Sequence, residues 1–61
     1  MTHATPTDTA QTLHMQATRF EIDAARARRD GNHNLANVFD RLARDARAEV
    51  AGIAAQMRRA A

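Results

Sequence analysis

Cysteine, serine, lysine, tryptophan and tyrosine are all absent from the 61 residues, which hold only two phenylalanines, two glycines and one proline. Each absence closes a class of function. Without cysteine there is no disulfide framework, no thiolate zinc site and no thiol nucleophile. Without serine, and with no threonine set beside a base, nucleophilic catalysis has no centre. Phe20 and Phe39 alone cannot build a base-stacking platform. Gly31 and Gly52 stand too far apart to form a phosphate-cradling loop. Asp40, Asp45 and Glu49 lie among arginines on what should be a wet helix face, a poor setting for paired-carboxylate acid–base chemistry. The chain reads as a non-enzyme, with no small-molecule substrate.

The missing lysine also explains a misleading isoelectric point. All nine basic residues are arginine, and with no Lys, Cys or Tyr almost nothing titrates between about pH 8 and 12, so a formal charge of only +2 carries the pI to about 11.1. Residues 1–30 hold four arginines against Asp8, Glu21, Asp23 and Asp30, and residues 31–61 hold five against Asp40, Asp45 and Glu49. The field is weak and implies no strong electrostatic steering. Long apolar runs are missing too, and the first residues carry neither a basic nor an apolar signal segment. The expected location is cytoplasmic, without a membrane.

What the chain has in quantity is alanine, at 15 positions within a hydrophobic fraction of 44%. Few bulky apolar side chains remain, and a domain of this size buries only about 60% of the surface of its unfolded chain. The pattern of those residues is helical. Residues 1–5 read as a flexible tail, within which Thr5 offers an N-cap, Pro6 the first helical position and Asp8 an acid in the first turn. Ala10, Leu13, Ala17, Phe20, Ala24 and Ala27 then step by three and four. A first helix is expected over about 6–30 and a turn over about 31–33, where Gly31 supplies the left-handed residue and Asn32 or Asn34 caps the next helix. That second helix is expected over about 34–60, with Ala36, Phe39, Ala43, Ala46, Val50, Ile53, Met57 and Ala60 on one stripe. Leu35 and Leu42, one position earlier, widen it toward a bundle-type surface.

Two such helices joined by a tight turn must lie antiparallel, which makes the fold class all-α, a helical hairpin. Coiled-coil spacing and a half-covered stripe call for a second layer, so pairing into a four-helix bundle is expected, either as a homodimer or by docking on a larger protein. The interface or core residues are Leu13, Ala17, Phe20, Ala24, Leu35, Phe39, Leu42, Ala46, Val50, Ile53 and Met57. The pairs Arg19 with Asp23, Arg26 with Asp30, Arg41 with Asp45 and Asp40 with Arg44 are spaced to bridge along their own helices. Gly52 sits on an outward position, where something could approach closely.

The segment Asp30-Gly31-Asn32-His33-Asn34-Leu35-Ala36-Asn37-Val38-Phe39-Asp40-Arg41-Leu42-Ala43 resembles the helix–helix junction of rubrerythrins and related ferritin-like proteins: an acid and glycine, then Ala-x-x-Phe-x-x-x-Ala. About half of the chain can be laid on that pattern. The family follows it with a metal-binding Glu-x-x-His, where this chain has Ala46 and Glu49, and Leu13 stands at the first-helix glutamate. The resemblance therefore implies a half-bundle architecture whose metal-ligand motif is degenerate.

Two alternative functions remain open at this level. Counting outward from Gly31 sets Glu49 level with His14, with Glu21 two turns from His14 on the same face, so a rebuilt site for a divalent metal could use His14, Glu21 and Glu49; no cofactor is otherwise expected. His3 and His33 belong to the tail and the turn. Arg41, Arg44 and Arg47 run along the second helix and could meet RNA or DNA, although so small a net charge predicts weak, salt-sensitive binding. The leading expectation is an interaction protein: an adaptor, regulator or accessory subunit.

Overall fold

The computed structural model describes residues 5–60, which form two α-helices, α1 (Pro6–Arg29) and α2 (His33–Ala60). Residues 1–4, most of the expected tail with His3, lie outside the described residues. Thr5 is ordered as the N-cap of α1, its hydroxyl accepting from the Asp8 amide at 3.1 Å, and Pro6 occupies the first turn, where its missing N–H removes no bond.

The turn closes by a complete Schellman motif. Gly31 adopts φ 82°, its amide donates to the Arg28 carbonyl (3.1 Å), and the Asn32 amide donates to the Ala27 carbonyl (2.8 Å). Asn32 then serves the next helix at once, its side-chain oxygen accepting from the Leu35 amide at 3.2 Å. Of the two candidate caps, Asn32 is used, so α2 begins at His33. Asp30, Gly31 and Asn32 thus close one helix and open the next within a three-residue turn, which sets α1 and α2 antiparallel.

Counting outward from the turn sets Ala27 level with Ala36, Ala24 with Phe39, Phe20 with Ala43, Ala17 with Ala46 and Leu13 with Val50. Among the described residues, Ala17, Ala24, Ala27, Ala36, Ala43 and Ala46 are buried. Alanine lets the helix backbones approach closely, and Phe20 and Phe39, each level with an alanine, stack at 6.3 Å between ring centroids. Among the described residues no large side chain is fully buried and no polar group is buried. The Cα framework measures 46 × 26 × 11 Å, a slab one helix thick.

One chain encloses only part of the expected interface or core set, namely Ala17, Ala24 and Ala46. Leu13, Phe20, Phe39, Val50 and Ile53 are only half-buried, while Leu35, Leu42 and Met57 are exposed. Two helices alone enclose the methyl groups between their axes and only part of any larger side chain there; Leu35 and Leu42 lie one position off that line, and Met57 lies beside Pro6 at the open end of the hairpin.

Candidate interaction faces

The slab has two broad faces of different character. On one, the positions just past the apolar stripe carry polar groups that bridge the helices. Arg28 donates to Asp40 at 2.6 Å. Farther from the turn, Arg47 donates to Glu21 through both Nε (2.9 Å) and Nη2, while its Nη1 lies 3.2 Å from Nδ1 of His14. All these partners are substantially exposed, so the bridges fasten the face more by geometry than by energy, at under about 1 kcal/mol each.

This arrangement redistributes the expected ion pairs. Arg19–Asp23 forms along α1 at 3.6 Å. Asp40 turns to Arg28 across the hairpin rather than to Arg44, and neither Arg26–Asp30 nor Arg41–Asp45 is within bridging distance among the described residues. The signal for the cross-helix bridges was present in sequence: residues 14, 21 and 28 of α1 and residues 40 and 47 of α2 all follow the stripe by one position, on edges that an antiparallel turn brings together.

The same cluster contains three of the candidate metal and nucleic-acid residues, His14, Glu21 and Arg47. His14 and Glu21 converge on Arg47, which contacts both. Glu49 is exposed and is not part of that cluster. Among the described residues no group of three or more His, Asp or Glu side chains is arranged to hold a metal ion. Of Arg41, Arg44 and Arg47, Arg47 reaches across to α1, and all three are exposed. His33 is exposed at the first position of α2.

The opposite broad face is open. Leu35, Val38 and Leu42, spaced three and four apart, form one stripe and are 42%, 50% and 39% exposed. Beside them runs a groove of about 290 Å³ lined by Asp23, Arg26, Ala27, Asp30, Leu35 and Phe39. Val38 was not among the expected interface residues, although its spacing from both leucines marks it. Ile22 and Met15 are also exposed, on the outward side of α1. At the end remote from the turn, Pro6, Ile53, Gln56, Met57 and Ala60 line a second groove of about 190 Å³. A Cβ at Gly52 would meet nothing within 4 Å.

No helix among the described residues is long and apolar enough to cross a membrane. Comparison of the chain with protein-family models, with curated proteins and with solved structures gives no match, so the likeness to the rubrerythrin junction rests on the Asp30–Ala43 residues alone.

Proposed function

We propose that this hairpin works by association, as a non-enzymatic module that completes its core on another protein surface, either a further copy of itself or a larger protein. One observation carries the reading: the buried core is alanine only, while Leu35, Val38 and Leu42 are held together on a face that α1 does not cover. Domains are stable as at least two packed layers of secondary structure, and this chain supplies one. Clustered apolar side chains of this kind mark interaction sites, whereas scattered ones such as Met15 carry no such meaning. As an adaptor, regulator or accessory subunit the protein needs no cofactor.

Sedimentation velocity from nanomolar to high micromolar concentration, combined with capture of stoichiometric companions from cells, tests this. The expected result is a species heavier than one chain, or one companion at equal stoichiometry, lost in either case on Leu42→Glu. A fully helical monomer at every concentration, with no companion sensitive to that substitution, would overturn the proposal.

A further inference from the structure

We infer that the open face is built to stack on the same face of a second copy, in antiparallel sense, about a two-fold axis that crosses α2 beside Val38. The inference rests on the association reading and commits it to one occupant. Three observations lead to it.

The two broad faces are not equivalent. Arg28–Asp40 and Arg47–Glu21 tie the two helices together across one of them, whereas the bridge on the other, Arg19–Asp23 at 3.6 Å, runs within α1 and leaves the space between the helices open. The other offers Leu35, Val38 and Leu42 beside an open groove whose apolar wall is Ala27, Leu35 and Phe39.

The apolar stripe is nearly symmetric about Val38. Rotating a second copy by half a turn about an in-plane axis at that level sets Leu35 of one copy against Leu42 of the other, with the valines near the axis. An isologous contact of this kind uses one patch twice and closes on itself.

The same rotation makes the α1 side self-complementary in charge. Val38 and Phe39 are level with Ala24 and Ala25, so each α1 stacks on its counterpart about that point. Along this face α1 presents Arg19, Asp23, Arg26 and Asp30, alternating in sign. Reversed upon itself about Ala24 and Ala25, the series sets Arg19 against Asp30 and Asp23 against Arg26, twice each. Asp23, Arg26 and Asp30 line the groove with Leu35, which places them on the face in question. The series is thus complementary to its own reverse, which a second copy supplies automatically.

The overlap covers about twelve residues of each helix, about 18 Å, which puts the contact at the small end of specific interfaces and the affinity nearer micromolar than nanomolar.

Charge exchange tests the geometry. Asp23→Arg and Arg26→Asp, each alone, set like charges against each other at both symmetry-related contacts, and each is expected to weaken dimerisation by about fivefold or more in sedimentation equilibrium. In a heterodimer of the two variants, one chain is arginine at both positions and the other aspartate at both, so opposite charges meet at both contacts. An equimolar mixture is therefore expected to recover wild-type affinity. Val38→Glu, at a half-exposed position, is expected to abolish the dimer while circular dichroism shows an unchanged helix content. If the wild type dimerises but neither variant weakens it, or the mixture fails to recover it, this geometry is wrong and association proceeds elsewhere. If the wild type stays monomeric at millimolar concentration, no second copy occupies the face. In that event a companion sensitive to Leu42→Glu would still uphold the broader reading, and the absence of one would end both.

Discussion

Gly31 and Gly52 show how the same residue type acts oppositely in two settings. At Gly31 the backbone has φ 82°, a region that disfavours a Cβ regardless of free space, and the Schellman bonds to Ala27 and Arg28 depend on it. Gly31→Ala is expected to destabilise the hairpin by about 1 kcal/mol. Gly52 lies inside α2 with open space around its would-be Cβ, so Gly52→Ala is expected to stabilise by up to about 1 kcal/mol through helix propensity alone. Opposite shifts of the thermal midpoint, followed by circular dichroism, check both. Absence of any gain at Gly52 in a sample that associates would indicate that its outward face is covered in the assembly.

At the scale of the elements, the α1–α2 seam divides into methyl-sized contacts and aromatic ones. Ala17 is 0% exposed where the helices press together, so Ala17→Leu must force them apart, at about 1–3 kcal/mol. Phe39 is only half-buried, so Phe39→Ala is expected to cost about 2 kcal/mol, below the roughly 3–5 kcal/mol typical of a fully enclosed ring. Urea titrations of the two variants measure both losses; a loss of about 3–5 kcal/mol at Phe39 would mean that this ring is covered in the assembled state. Much of this element structure was legible in the sequence. Thr5-Pro6 fixed the start of α1, Gly31 its end, and three-four spacing the stripe, because caps and periodicity are local properties of the chain. What was not legible depends on competition between distant groups. Asp40 could bridge to Arg44 on its own helix or to Arg28 across the turn, and spacing alone does not rank them. Likewise Arg47 could stand free or cross to α1, and spacing alone does not show that it meets Glu21 and His14.

For the whole molecule, the governing fact is a single helical layer with alanine at its centre and leucine at its margin. Spacing predicts that Leu35 and Leu42 are enclosed, and one chain does not enclose them; that shortfall is the argument for assembly. Mass action gives it a measurable form, since a chain stabilised by its own association melts higher as its concentration rises. Raising the concentration a hundredfold is expected to lift the thermal midpoint by several degrees, and Leu42→Glu is expected to flatten the dependence. A midpoint independent of concentration in the wild type would instead fit a chain whose second layer comes from a different protein.

The alanine seam between the helices has a calorimetric consequence. Methyl groups hold little apolar surface to hydrate and no rotamers to release, so the heat-capacity increment of unfolding should fall below the usual range of about 12–15 cal/mol/K per residue. A small increment flattens the dome of free energy against temperature. Chilling should therefore weaken this hairpin little.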